Sequence, residues 1–99
     1  MRMKKRSDDL IISQILDICE NGARKTRIVY QANLNSTSAN RYLEFLIETG
    51  MIEQSSQGAS YLFKTTVKGA ELKNRLSRLH AEMDELRTTV LNIPTLTQT

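Results

Sequence analysis

The sequence has few of the residues from which metal, redox and covalent catalytic sites are built. Its 99 residues include one cysteine, Cys19, one histidine, His80, and no tryptophan. A single cysteine cannot form an intramolecular disulfide, and one cysteine with one histidine cannot assemble a structural zinc site. No glycine-rich phosphate loop precedes a helical segment, and the carboxylates are scattered. We therefore expect no enzymatic activity, no metal ion and no cofactor, and we interpret Cys19 as a small core residue.

Long apolar runs and a strong charge of one sign are also missing. The apolar segment after the first ten residues is too short and interrupted for a signal sequence or a membrane span, so we predict a cytoplasmic protein. The net charge is +3, and residues 1–30 contain seven Lys or Arg against four Asp or Glu, whereas the two signs balance in the remainder. This distribution favours an anionic partner. A basic arm could add secondary phosphate contacts through Arg2, Lys4, Lys5 and Arg6.

Residues 26–50 have the pattern of two short helices joined by a polar turn. Thr26 is the predicted N-cap of the first helix, residues 33–36 form the turn, and Gly50 closes the second helix with a left-handed cap. The first helix is apolar at Ile28, Val29, Ala32 and Leu34. In the second helix the residues predicted to point inward are Ala39, Tyr42, Leu43 and Leu46. Two helices with so short a connection predict a helix-turn-helix.

The outward face of the second helix is polar at its start and acidic further on. Thr37 and Arg41 point outward near the start, whereas Glu44 and Glu48 follow and would repel phosphates. A recognition helix inserts its N-terminal end into the major groove, so we expect only the first two turns to contact DNA. Arg41 suits a guanine edge and Asn40 an adenine edge, and either could bind a phosphate instead.

The predicted DNA-binding residues come from three places in the chain. Five lie near the start of the second helix: Ser36, Thr37, Ser38, Asn40 and Arg41. Three cations surround the start of the first helix, where backbone amides could also meet a phosphate: Arg24, Lys25 and Arg27. The last is Gln57, at the tip of a hairpin predicted from strands at residues 51–55 and 60–64 around Gly58. Because no Lys or Arg lies in this tip, contact between the hairpin and DNA stays open.

One amphipathic helix precedes this motif. Ser7 is its predicted N-cap, with Asp8 and Asp9 in the first turn, and Gly22 is predicted to close it. Apolar residues recur along it at spacings of three and four, so we interpret this helix as scaffold. Phe45, at the boundary of the apolar face of the second motif helix, is expected to pack against a neighbouring element.

A longer helix with a heptad pattern follows the hairpin. It is predicted to begin after its cap Thr66 and to end near Asn92, before Pro94. Its apolar residues alternate at spacings of four and three: Leu72, Leu76, Leu79, Met83, Leu86, Val90 and Ile93. So narrow a seam suits a partner helix, although the helix could instead fold back on its own domain. His80 lies on the flank of the seam, where we expect it to be solvated.

Several short segments resemble a known family. They are residues 25–30, KTRIVY, residues 32–34, ANL, residues 42–43, YL, and residues 50–52, GMI, and the similarity continues through Tyr61, Thr66 and Gly69. They resemble small archaeal winged-helix DNA-binding proteins that dimerise through an antiparallel C-terminal coiled coil. The resemblance implies an antiparallel coil here. Charge alone leans slightly toward a parallel one, because Glu82 and Arg87 would attract each other across a parallel pair.

These features together predict a mainly α fold with a small β-hairpin. A winged helix-turn-helix is expected at residues 7–68, followed by a coiled-coil dimerisation helix at residues 69–93. We favour a protein that forms a homodimer and binds double-stranded DNA, either as a transcription regulator or as a chromatin-type architectural protein of the nucleoid. The alternative is a winged helix that serves as a protein-interaction adaptor. No membrane partner and no small-molecule ligand is evident.

Overall fold

The computed structural model describes residues 7–91, which form four α-helices and one β-hairpin. In chain order they are α1 (Asp8–Ile18), α2 (Lys25–Ala32), α3 (Ser36–Glu48), β1 (Ile52–Gln57), β2 (Ser60–Thr65) and α4 (Val67–Leu91). The predicted basic arm at residues 2–6, the predicted helix end near Asn92 and the seam residue Ile93 lie outside the described residues. The predicted fold is confirmed: a helix, a helix-turn-helix, a two-stranded wing and a long final helix follow one another.

α1 begins where the sequence predicts and ends earlier. Ser7 is its N-cap, and two acidic residues occupy the first turn, where they complement the helix dipole. The helix ends at Ile18, four residues before Gly22, so the predicted end is wrong. The chain first makes a tight turn, in which the Gly22 N–H donates to the Cys19 carbonyl (3.0 Å) and Gly22 adopts a φ of +95°. That turn directs the chain toward the hairpin.

α2 begins two residues earlier than the predicted cap Thr26 would allow, so that prediction is wrong. Arg24 is the N-cap, without a side-chain capping bond, and Thr26 lies inside the first turn. The preceding residue explains the difference. The Ala23 N–H donates to the Phe63 carbonyl, and the Phe63 N–H donates to the Ala23 carbonyl, both at 2.8 Å. This pairing adds Ala23 to the edge of the hairpin and fixes the backbone immediately before the helix, so side-chain capping is not what sets the start.

The turn between α2 and α3 is built by two asparagines. Asn33 adopts the left-handed conformation with φ +56°, which asparagine tolerates better than most residues. Asn35 is the N-cap of α3, and its Oδ1 accepts from the Ser38 backbone N–H at 2.7 Å. Gly50 has a φ of +81° just after α3, as the predicted left-handed cap requires. The predicted helix-turn-helix boundaries are therefore close to the observed ones.

The hairpin is antiparallel and pairs Ile52 with Thr65 at one end and Gln57 with Ser60 at the other. Its two-residue turn begins with Gly58, whose φ is +65°. β1 extends two residues and β2 one residue beyond the predicted strand ends. Except for Ile52, β1 is exposed along its length, so the hairpin projects from the core as a wing.

A single small core joins these elements. Its buried apolar residues come from α1, α2, α3 and the hairpin with its neighbouring segments: Ile11, Ile15, Leu16, Cys19, Ala23, Ile28, Ala32, Leu43, Leu46, Ile52 and Phe63. Cys19 is fully buried, as predicted for a core residue. Burial raises the pKa of its thiol to about 12, so the thiolate needed for nucleophilic or metal chemistry does not form near neutral pH.

α4 is attached closely to the end of the helix-turn-helix. The Thr66 Oγ1 accepts from the Gly69 N–H at 3.1 Å, which confirms the predicted cap, and donates to the Gly50 carbonyl at 2.6 Å. Gly69 is buried, and a Cβ at this position would lie 2.2 Å from the Met51 carbonyl oxygen. Leu72 packs against the core.

The first half of α4 lies on α1, and the second half does not. Lys73 Nζ is 3.3 Å from Asp17 Oδ1, and His80 Nε2 is 2.9 Å from Asp9 Oδ2. The prediction of a solvated His80 is therefore wrong, because this ring is half-buried against α1. The more distal seam residues are between 46% and 65% exposed: Leu79, Met83, Leu86 and Val90. The first half of α4 therefore folds back on its own domain, and the seam of its second half faces outward.

The close fit at Gly69 generates a stability prediction. Gly69→Ala should lower the free energy of unfolding by about 1–3 kcal/mol, because the new methyl group must displace the Met51 backbone. At an open helical position the same change would raise stability, since alanine favours helix. Thermal and urea unfolding would measure the difference, with Asn74→Ala on the exposed side of α4 as the control. An unchanged or raised stability for Gly69→Ala would contradict the inferred close fit.

Candidate nucleic-acid interface

The exposed face of α3 has the composition inferred from its periodicity. Ala39, Leu43 and Leu46 are buried, and Tyr42 is half-buried. The predicted outward residues Thr37, Arg41, Glu44 and Glu48 are all exposed. Ser36 and Asn40 are also exposed, whereas Ser38 is half-buried beside the turn and has its backbone N–H engaged by the cap. The first two turns of α3 therefore present hydroxyl, amide and guanidinium groups, and carboxylates follow them.

α1 holds α3 in place close to Arg41. The Tyr42 hydroxyl donates to Asp8 Oδ1 at 2.6 Å, which joins the first turn of α1 to the middle of α3. Arg41 and Asp8 line the same shallow hollow, together with Ile12, Tyr42 and Phe45. Within residues 7–91 Arg41 makes no ion pair within 4.0 Å. Its guanidinium is therefore available to an external acceptor.

Phe45 departs from its predicted environment. It was expected to pack against a neighbouring element, but its side chain is 50% exposed. Tyr42, three residues back on α3, is half-buried and donates its hydroxyl to Asp8 of α1. Phe45 therefore remains at the rim of the hollow that α1 and α3 form.

The three cations at the start of α2 do not converge on one point. Arg24 and Lys25 line a groove between α2 and the wing, and an Arg24 guanidinium N–H donates to the Ser60 hydroxyl. Arg27 is exposed and is not among the residues that line this groove. It lies near enough to Cys19 for its charge to oppose part of the burial-induced rise in the pKa of that thiol. Two of the three predicted cations thus lie beside the wing, and the third does not line the same groove.

The wing contributes one expected and one unexpected residue. Gln57 is exposed at the end of β1, directly opposite Ser60. Tyr61 is 54% exposed and lines the groove with Arg24 and Lys25, a placement that we did not predict. Strand alternation offered a signal, because Tyr61 is two residues from the buried Phe63 and hence on the same face. Strand alternation does not indicate, however, where α2 lies relative to that face.

A family match accounts for this arrangement. The sequence pattern of winged helix-turn-helix proteins matches residues 5–84. The chain belongs to the winged helix-turn-helix family. An archaeal relative, uncharacterized protein MJ0287 of Methanocaldococcus jannaschii, is 36% identical over 84 residues, which are 84% of this chain and 82% of the relative. The resemblance to archaeal winged-helix proteins is therefore confirmed.

Solved structures extend the likeness to the whole winged-helix chain. Sso10a-2, a DNA-binding protein from Sulfolobus solfataricus, superposes with a TM-score of 0.88 at 24% identity, over 95% of this chain and 99% of that one. The PcaV transcriptional regulator of Streptomyces coelicolor superposes with a TM-score of 0.72 at 17% identity, over 94% of this chain and 67% of that one. At these identities the likeness shows the fold. It includes the long C-terminal helix, since 95% coverage cannot be reached without α4.

Two other kinds of site have no support in the described part of the chain. Residues 7–91 contain no group of three or more His, Cys, Asp or Glu placed to hold a metal ion. In the same residues no helix is long and apolar enough to cross a membrane. The exposed first turns of α3 and the groove between α2 and the wing are therefore the surfaces on which a functional argument can be based.

Proposed function

We propose that this winged helix protein is a homodimer that binds double-stranded DNA, with α3 as its recognition helix. The observation that carries the proposal is the exposed start of α3, which is polar and carries Arg41 with no partner among residues 7–91. The DNA-binding protein Sso10a-2 shares the fold and supports the same reading. A role in transcription regulation and an architectural role both use this interface.

The depth to which α3 enters the major groove is limited by its own charges. Thr37, Asn40 and Arg41 lie within the first two turns, and Glu44 and Glu48 lie on the outward side of later turns. A carboxylate that approaches the DNA backbone is repelled, so α3 enters by its N-terminal end and not along its length. This is the usual orientation of a recognition helix.

Phosphate contacts are assigned to the groove between α2 and the wing. Arg24 and Lys25 supply two positive charges there, and the first backbone amides of α2 have no side-chain cap. A phosphate at a helix N-terminus receives hydrogen bonds from such amides and is stabilised by the helix dipole. Tyr61 adds a hydroxyl donor on the wing side of the same groove.

The dimer is assigned to the distal half of α4. Its four exposed seam residues, Leu79, Met83, Leu86 and Val90, form one apolar stripe on a helix that is otherwise polar there. Burying such a stripe against a second copy contributes about 25 cal/mol for each Å² of apolar surface removed from water. An antiparallel pair follows from the family resemblance. The 25 residues of α4 span roughly 37 Å at about 1.5 Å per residue, so the two recognition helices would lie about one DNA turn or more apart.

The recognition-helix assignment predicts unequal effects of two substitutions on α3. Arg41→Ala should weaken DNA binding by about 1–3 kcal/mol if the guanidinium contacts a base. Glu48→Ala, at an exposed position two turns further along, should leave affinity unchanged or slightly higher. Fluorescence anisotropy with a short duplex at low salt would compare the two. Equal affinities for wild type and Arg41→Ala would argue against α3 as the DNA-reading helix.

The salt dependence of binding should locate the phosphate contacts. Neutralising Arg24, Lys25 and Arg27 together should reduce the slope of log affinity against log salt by roughly 2 units per protomer if each of the two groove residues meets one phosphate. Because Arg24 and Lys25 share the groove, Arg24→Gln with Lys25→Gln should account for most of that change, and Arg27→Gln alone for little. A slope that is unchanged in the triple variant would exclude the groove as a phosphate site. No binding to duplex even at low salt, where phosphate contacts are strongest, would instead favour a protein-interaction adaptor.

Cysteine cross-linking should establish the direction of the coil. Leu72 packs against the core, so the exposed seam position Leu86 is the better site, in a Cys19→Ala background. A disulfide requires Cα atoms within about 7 Å, which two copies of Leu86→Cys reach only in a parallel dimer. An antiparallel pair centred near Ala81 should instead cross-link when Leu76→Cys chains are mixed with Leu86→Cys chains. Rapid and complete cross-linking of Leu86→Cys alone would disprove the antiparallel arrangement.

A further inference from the structure

The first turn of α1 contacts both α3, the proposed recognition helix, and α4, the proposed dimerisation helix. Asp8 Oδ1 accepts from the Tyr42 hydroxyl of α3 at 2.6 Å. The next residue, Asp9, has its Oδ2 2.9 Å from His80 Nε2 of α4. Two successive carboxylates therefore join the recognition helix and the C-terminal helix through one turn of backbone. Hydrogen bonds from the Ser7 hydroxyl and the His80 ring lower the pKa of Asp9 to about 2, so it is ionised throughout the neutral range.

The face of α4 that meets α1 is distinct from its apolar seam. Lys73 and His80 are seven residues apart, so they lie two turns from each other on one side of the helix. Lys73 Nζ reaches two carboxylates, Asp17 Oδ1 of α1 at 3.3 Å and Glu20 Oε1, two residues beyond the end of α1, at 3.7 Å. Lys73 and His80 each follow a seam residue by one position, which places them about 100° around the helix from the seam. α4 can therefore be held by α1 on one side and remain open to a second copy on the other.

We propose that the first turn of α1 sets the angle between α3 and α4, with Asp8 as the positioning residue for α3 and Asp9 as the positioning residue for α4. His80 is the last described residue of α4 with a side-chain hydrogen bond to the winged domain. Residues 81–90 beyond it are exposed. The pair with Asp9 thus fixes the direction in which the free half of α4 leaves the domain.

The direction of the free half of α4 also affects DNA binding, a consequence that rests on the proposed dimer. If the free half of α4 pairs with a second copy, its direction determines where the two recognition helices stand relative to each other. Binding of both winged units to one duplex then depends on that direction, because the second contact gains affinity only when the geometry allows both. Binding of one unit to a short duplex does not depend on it. The two kinds of DNA therefore separate positioning of α4 from positioning of α3.

The distance between two spin labels in one chain reports the direction of α4 relative to the winged domain. In a Cys19→Ala background, Gln31→Cys on α2 and Thr88→Cys on α4 provide exposed labelling positions. Labelled chains diluted into excess unlabelled protein report the distance within one chain, whether or not the protein dimerises. We expect one narrow distance distribution for the otherwise unaltered protein. With His80→Ala it should broaden or shift, because the contact with Asp9 is lost.

Two further variants separate the contact from general destabilisation. His80→Gln retains an N–H donor near Asp9 and should restore the narrow distribution. Asn74→Ala, at an exposed position on α4, should leave it unchanged. Thermal unfolding verifies that each variant is folded at the temperature of the measurement. The same distribution for His80→Ala as for the unaltered protein would overturn the proposal, and so would a broadened one for His80→Gln.

DNA binding gives a second and independent readout. On a duplex of about one turn, His80→Ala should bind within about twofold of wild type, and on one of about three turns it should lose about tenfold through reduced avidity. Tyr42→Phe keeps the ring but removes the bond to Asp8, so it should weaken short-duplex binding by about 2- to 10-fold without changing the label distance. Equal losses of His80→Ala on both duplexes would contradict the assignment. If the unaltered protein binds neither duplex, the proposed function fails, and the label distances still decide the inference.

Discussion

The apolar face of α1 is the surface on which the rest of the structure depends. Ile11, Ile15 and Leu16 are buried there, and α2, α4 and β2 all contact this helix. The C-terminal end of α1 also provides hydrogen-bond acceptors. The Leu16 carbonyl accepts from the Thr65 hydroxyl at 2.6 Å, and the carbonyl of the C-cap Cys19 accepts from the Thr65 N–H at 2.9 Å. The wing is therefore bound to the C-terminal end of α1, and α3 and α4 are bound to its first turn. In so small a domain, one helix has to organise both functional surfaces because the core is too small to be divided.

That arrangement explains why the candidate interface is asymmetric. The cations of the α2 segment reach the wing through Arg24 and Lys25, since the pairing of Ala23 with Phe63 brings the start of α2 beside β2. On the other flank of α3, Arg41 stands near α1, whose Asp8 is already engaged by Tyr42. Positive charge thus lies beside the wing, at Arg24 and Lys25, and on α3, at Arg41, although the sequence distributes it over separate segments.

The two halves of α4 differ in their surroundings, since the first is part of the winged domain and the second is exposed. Its beginning belongs to the domain, because Gly69 fits against the Met51 carbonyl and Leu72 joins the core. Its distal half is exposed and apolar on one stripe, which is costly for an isolated chain in water. The superposition with Sso10a-2 includes this helix, so a long helix beyond the wing is a shared feature of the fold and not an irregularity of this chain. Because one continuous helix contains both parts, a partner bound to the distal half would be connected rigidly to the winged domain.

Sequence alone determined the elements whose signals are local. Heptad spacing, the caps Ser7 and Thr66, and the glycine after α3 depend on residues a few positions apart, and so the order of helices, the wing and the outward face of α3 could be inferred. Tertiary structure decided the pairs that are distant in the chain. His80 contacts Asp9 across 71 positions, and Tyr61 lies beside Arg24 in a groove that neither segment contains by itself. Such contacts depend on how the core orients the elements, and periodicity records only which face of an element is apolar, not which neighbour that face will meet.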